Sequence, residues 1–341
     1  MDNSTLTLDV TDENDTGSGY PENAQVHFTI AAGFAISLCL IGLVGNIIVF
    51  WYLCFKIKRN KYTIYIINLS VADFIFLIFS IIVLIMFIYT LSSADPYFKG
   101  KESLYMFLEI FSDSAQYSGM FILTAISLER CLSVLFPFWY QCHRPENLSA
   151  IISGSVWLLG CAVGLIDNLV CTPEGFLSQS TECTVVQIMT FGLSVIICLP
   201  IMVISSFILL FKIKRTVRQQ YPQKLYIIII AAVFIFIISV IPINFVWFLM
   251  YFQLLKSDIE TVGLFFASVF CTVLNSTIDP YIYFIVGKKW KQNSSHSLHE
   301  ALQRAFRTEE DENEDSNSNK TSKDSNQTNL ASSFENCAVL Q

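Results

Sequence analysis

Seven stretches of this 341-residue chain are apolar over about 20 residues or more, the length a helix needs to cross a bilayer. They run Phe28–Phe55, Thr63–Leu91, Leu104–Phe136, Leu148–Val170, Val185–Phe211, Leu225–Phe252 and Val262–Val286. In lipid a segment must satisfy its own backbone polar groups, which a helix does. The expected fold is therefore an all-α membrane protein, a seven-transmembrane helix bundle. Hydrophobic residues make up 53% of the chain and charged ones 14%, with a mean hydropathy of +0.54, which excludes an ordinary soluble domain. An odd number of spans puts the two termini on opposite sides.

Basic residues in the connections set the orientation. Those after spans one, three and five carry Lys56, Lys58, Arg59 and Lys61, then Arg144, then Lys212, Lys214, Arg215, Arg218 and Lys224. The opposite connections carry Lys99, Lys101 and Lys256. The first set is expected in the cytoplasm, with the amino terminus outside the plasma membrane and the carboxy terminus inside. The net charge of −7 reflects acids concentrated in the tails. This divides the chain into an extracellular tail (1–26), the bundle (27–286), an amphipathic juxtamembrane helix (287–307) and an acidic disordered tail (308–341). The first 26 residues lack the basic flank and apolar run of a cleaved signal, so span one is expected to serve for targeting. Asn3 and Asn14 begin glycosylation acceptor triplets on the expected outer face.

Ionisable groups inside apolar spans are costly, so each needs a partner, a wet cavity or a function. Glu129-Arg130 closes a long apolar helix; the pair reads either as an interfacial anchor or as a functional switch. Asp73 lies deep in span two, where it should face a wet cavity, bind a cation or be protonated. Asn46 in span one is a candidate to hydrogen-bond it. Span seven adds Asn275, Ser276 and Asp279, which can project toward Asp73. Pro200, Pro242 and Pro280 each remove a backbone hydrogen bond and are expected to bend spans five, six and seven.

Gly45-Asn46, the Leu69-Ser-Val-Ala-Asp73 stretch, Trp157, Pro200, Pro242 and Asp279-Pro280-x-x-Tyr283 together resemble the pattern of rhodopsin-like G-protein-coupled receptors. The stretch from Leu123 to Leu135, Trp139-Tyr140, Cys142-His-Arg-Pro145 and Tyr283-Phe-Ile-Val-Gly287 are similar to the Mas-related branch. The resemblance implies a cell-surface receptor that activates heterotrimeric G proteins, of the Gq or Gi class. Glu129, Arg130, Asp73, Asn275, Asp279, Pro280, Tyr283 and Pro242 would form its switch.

The chain departs from that pattern in several places. The usual Asp-Arg-Tyr reads Glu129-Arg130-Cys131, Val240 replaces a common Trp, and Gly119 stands where a sodium site often has Ser. The inner end of span six lacks an acid, so Glu129 alone is expected to restrain Arg130. Of ten cysteines, Cys171 and Cys183 fall on the expected outer side and flank one loop, and the outer end of span three has none. A Cys171–Cys183 disulfide is expected, as in the Mas-related branch, closing a short loop worth about 2–3 kcal/mol by chain-entropy reasoning.

Glu109, Asp113 and Asp167 lie at the outer ends of spans three and four. They read either as solvated boundary acids or as receivers of a cationic group. The resemblance favours the second reading, since receptors of that branch for basic peptides use an acid matching Asp167. Where they have a second acid, this chain has Gln187. Ser112 occupies the position of the amine-binding Asp of aminergic receptors, and Asp113 is expected on a different face, which argues against that class. Branch ligands span angiotensin fragments, basic peptides and small amines. Of the aromatics in the outer halves of spans three and six, including Phe107, Tyr117, Phe245, Phe248 and Tyr251, most are expected to face lipid or neighbouring helices.

Beyond Gly287, Lys288-Lys-Trp-Lys291 with Leu298, Leu302 and Phe306 has the spacing of a helix lying on membrane lipid. Ser316, Ser318, Thr321, Ser322, Ser325 and Thr328 sit among acids, and phosphorylation there would favour arrestin. A transporter or channel using Asp73 and Asp279 as ion-path carboxylates is the alternative. The absence of an inverted repeat and of a Gly-rich filter argues against it. The four His are scattered at 27, 143, 296 and 299, so no enzyme, metal, cofactor or nucleic-acid partner is expected.

Overall fold

The computed structural model describes residues 22–57, 60–92, 101–145, 147–171, 180–215, 223–252, 254, 259–287 and 302. Asn3, Asn14, the tail from 308 and all of the expected juxtamembrane helix except Gly287 and Leu302 lie outside the described residues. Within them the chain is almost wholly helical, with no strand. The helices are α1 (Glu22–Phe55), α2 (Thr63–Ser92), α3 (Lys101–Leu135), α4 (Pro137–Cys142), α5 (Leu148–Cys171), α6 (Thr181–Phe191), α7 (Leu199–Arg215), α8 (Gln223–Tyr251) and α9 (Ile259–Gly287). Among the described residues seven spans are long and apolar enough to cross a membrane, and each expected span falls within these helices to within a residue, the fifth across α6 and α7. Span five begins at Thr181 because the Ser180 hydroxyl accepts the Cys183 amide at 3.1 Å and caps the helix there.

Helix α3 is the hub, packed against α2, α5, α7 and α8, while α9 closes the ring against α1 and α8. The α3–α5 contact is close because Gly160 and Gly164 face Ser118 and Ser114. A Cβ on Gly164 would stand 2.7 Å from the Ser114 backbone nitrogen. Small residues four apart on both helices let the backbones approach, which is how membrane helices gain packing without a hydrophobic drive.

Span five is interrupted between α6 and α7 by a π-helical segment, Gly192–Cys198. Pro200 follows at once; it has no amide proton and its ring crowds the carbonyl of Ile196, so the wider turn absorbs the conflict. Pro242 and Pro280 lie inside α8 and α9, which continue through them.

Asn46 does not bond Asp73. Its amide donates to the carbonyls of Gly42 at 3.1 Å and Ser276 at 3.0 Å, joining span one to span seven. An amide N–H₂ needs acceptors, and the backbone oxygen of Ser276 meets it first. Trp157 donates to Asn68 at 3.0 Å, tying α5 to α2.

Candidate functional site

Toward the end of the bundle where α5 meets α6, the helices splay around a cavity of about 490 Å³. Cys171 and Cys183 form a disulfide at this end, with Cα atoms 5.0 Å apart, and both line the cavity. Glu109, Asp113, Asp167 and Gln187, the four residues expected to meet a ligand, share it. Asp73, Asn275 and Asp279 line it too. Among the described lining residues there are thus five carboxylates and no Lys, Arg or His.

Local hydrogen bonds aim the acids. Asp167 Oδ1 accepts from Gln187 at 2.8 Å and Oδ2 accepts from the Tyr117 hydroxyl at 3.2 Å. Gln187 also points its amide at Cys171 Sγ, 3.6 Å away, so the bridge and the carboxylate share one donor. Asp113 Oδ2 accepts from Asn168 at 2.9 Å, and Asn168 is anchored in turn to the Gly164 carbonyl. Asp113 and its neighbour Ser112 both line the cavity. Asn168 was not singled out in the sequence; its signal was adjacency to Asp167 on a helix whose other small residues face α3.

Aromatic residues divide by face. Tyr117, Phe248 and Tyr251 line the cavity, with Phe248 stacked on Phe191 at 4.3 Å and the Tyr251 hydroxyl 2.9 Å from Thr184. Phe107 and Phe245 are exposed on the outside of the bundle. Deeper in, Asp73 and Asp279 are 5% and 2% exposed, and Asp73 Oδ2, Asp279 Oδ1 and Asn275 Oδ1 have no hydrogen-bond partner. Tyr283 is buried in the main core cluster, Pro280 packs toward Gly45, and Pro242 is exposed.

At the opposite end a second polar cluster surrounds Glu129 and Arg130, which are 5% and 3% exposed. Glu129 was expected to restrain Arg130 alone. Instead its carboxylate pairs with Arg144, whose Nη2 lies 2.7 Å from Oε1 and 3.0 Å from Oε2. It also accepts the hydroxyls of Tyr65 at 3.0 Å and Tyr140 at 3.2 Å. Arg144 Nη2 further donates to Ser149 at 2.5 Å, and Ser149 donates to the Lys61 carbonyl at 2.7 Å, so the connection after span one is tied in. Arg130 lies over the ring of Tyr62, its guanidinium carbon 2.9 Å from the centroid, and Tyr62 stacks on Tyr140. Burial, then the neighbouring Tyr62 and Glu129, push the Tyr140 phenol up, which keeps it a donor. Burial of Arg144 opposes its charge, but its bonds to Glu129 prevail and hold it above the usual range.

Residues 45–283 match the 7 transmembrane receptor (rhodopsin family). The chain is 36% identical over 298 residues to the mouse protein "Proto-oncogene Mas", covering 86% of this chain and 87% of that relative. It is 35% identical over 291 residues to its human counterpart, covering 84% and 86%. It is 31% identical over 292 residues to mouse "Mas-related G-protein coupled receptor member D", covering 83% and 87%. These relatives are receptors, not enzymes. The seven spans, the ligand-sized cavity at one end and the Glu129-Arg130 cluster at the other agree with this likeness, and the chain belongs to the rhodopsin-family seven-transmembrane receptors, among the Mas and Mas-related G-protein-coupled receptors.

Proposed function

We propose that this receptor binds a cationic ligand, a basic peptide or an angiotensin-like fragment bearing a free amine, in the acidic cavity, and in response drives nucleotide exchange on Gq- or Gi-class proteins at the Arg130 end. The observation that carries the reading is the cavity lining: five carboxylates and no fixed cation among the described residues. In a partly desolvated space, opposite charge adds affinity and orientation, and Asp167 and Asp113 are already positioned by neutral donors.

In this reading the bridged end faces outward and the Arg130 end inward, in line with the basic connections after spans one, three and five. Ligand binding shifts a two-state bundle toward an arrangement that opens the Arg130 end. The basic stretch Lys212 to Lys224 then meets anionic lipid or an acidic partner, and phosphorylation between Ser316 and Thr328 recruits arrestin.

Nucleotide exchange on purified Gq and Gi tests the proposal, in membranes carrying matched amounts of the wild-type chain, Asp167→Asn or Arg130→Ala. A basic peptide from a defined panel should raise exchange in the wild type, lose potency with Asp167→Asn and lose effect with Arg130→Ala. Equal potency in the wild type and Asp167→Asn would overturn the assignment of the cavity, and activation by neutral or acidic peptides alone would overturn the ligand class.

A further inference from the structure

The acids of the cavity fall into two tiers along α3. Asp113 and Asp167 form one tier near the disulfide, with Glu109 one turn above. Asp73 and Asp279 form the other. A Cβ on Gly119 would lie 3.8 Å from the Ala72 Cβ, so the level of Asp73 is near Gly119, six residues past Asp113. At the rise of an α-helix that separates the tiers by about 9 Å. Both tiers border one cavity.

The tiers differ in what they already hold. Asp113 and Asp167 accept hydrogen bonds from Asn168, Gln187 and Tyr117. In the deeper tier, Asp73 Oδ2, Asp279 Oδ1 and Asn275 Oδ1 are buried with no partner. Leaving buried acceptors unsatisfied is costly, and more so for carboxylates. A ligand with a single cationic group can engage one tier and leaves the other as it stands.

Building on the cationic-ligand reading, we infer that the cavity is made for an elongated dication. One ammonium or guanidinium meets Asp113 and Asp167, and the second, on an unbranched apolar spacer, reaches Asp73 and Asp279. The spacer passes side chains without fixed charge, including Met120, Phe236 and Phe248, which suit methylene groups. A diamine, or a peptide end with two basic groups at that separation, has this chemistry.

The test uses the full-length receptor in nanodiscs, with binding of α,ω-diaminoalkanes and of monoamines with the same carbon number measured by ligand-induced thermal shift. Diaminohexane or diaminooctane should bind about tenfold tighter or more than hexylamine or octylamine, and diaminobutane should show no such advantage. Asp73→Asn and Asp279→Asn, made separately, should each abolish the advantage while monoamine binding persists, which also certifies that the variants fold. Equal binding of diamines and monoamines at every length overturns the dication and leaves the cationic-ligand reading intact. An advantage that survives both Asn variants, or a deep tier that responds to sodium chloride but to no diamine, overturns it as well. Binding of neither amine class while a basic peptide still shifts the folded wild type overturns the dication alone, and binding of neither the amines nor any basic peptide overturns both readings.

Discussion

Arg144 Nη2 lies 2.7 Å from Glu129 Oε1, and both side chains are almost wholly buried. The acid beside Arg130 is thus held by the connection between spans three and four. Removing one partner of such a pair strands a buried charge, at a cost on the order of 3–5 kcal/mol. Arg144→Ala should lower the thermal midpoint and raise ligand-independent exchange, because Glu129 and the Lys61 turn lose their common tie. Adding Glu129→Gln should recover much of the stability, since the stranded charge is gone. Exchange assays and melting curves on matched membranes read both effects, and unchanged basal exchange in Arg144→Ala would refute the restraint.

Arg130 is placed by the face of Tyr62. A desolvated cation on an aromatic face contributes about 0.5–2 kcal/mol. Tyr62→Phe keeps the ring and should leave basal exchange near that of the wild type. Tyr62→Leu keeps apolar bulk but not the π face and should raise it by several-fold. Basal exchange equal to that of the wild type in both variants would remove Tyr62 from the restraint.

Close approach of α3 and α5 gives a packing prediction with an internal control. A Cβ on Gly164 would meet Ser114 Oγ at 2.6 Å and the Ser114 nitrogen at 2.7 Å, whereas one on Gly154 meets nothing within 4 Å. Gly164→Ala should destabilise by about 1–3 kcal/mol, the usual range for overpacking. It should also displace Asn168, whose amide is anchored on the Gly164 carbonyl, and so weaken binding at Asp113. Gly154→Ala should leave the affinity unchanged and should not lower the melting temperature, since helix propensity favours Ala where its Cβ meets nothing.

Some of this architecture was legible in the residues. Asp73, Asn275 and Asp279 sit in apolar spans, and the cost of charge in lipid requires a shared polar centre, so their convergence followed from depth alone. The disulfide was also legible, from two cysteines flanking a single connection. Arg144 was not, because a basic residue in a connection on that side obeys the positive-inside rule whether or not it reaches inward. Asn46 misled for a related reason: its amide can satisfy itself on any buried carbonyl, and the sequence does not show that the Ser276 backbone is nearest. Pro200 announced a distortion in span five, but a proline does not say which upstream turn widens to absorb it.

Gln187 offers the sharpest test of the cavity, because its one amide donates to Asp167 Oδ1 at 2.8 Å and reaches toward Cys171 Sγ. Replacing it with Asp removes that donor and adds a carboxylate beside an existing one. Without ligand the two acids repel, so the free receptor should be less stable. With a cationic ligand the added charge is complemented, and potency for a basic peptide should rise by about tenfold, near the lower end of close charge-pair couplings. Asp167→Asn removes charge from the same spot and should lower potency by a similar or larger factor. In the double variant Gln187→Asp with Asp167→Asn, one carboxylate is restored across the gap, and part of the lost potency should return. Concentration–response curves for one basic peptide on the four receptors, at matched expression, measure all three shifts. No recovery in the double variant would mean that the position of the carboxylate, set by Tyr117 and Gln187, matters more than its charge.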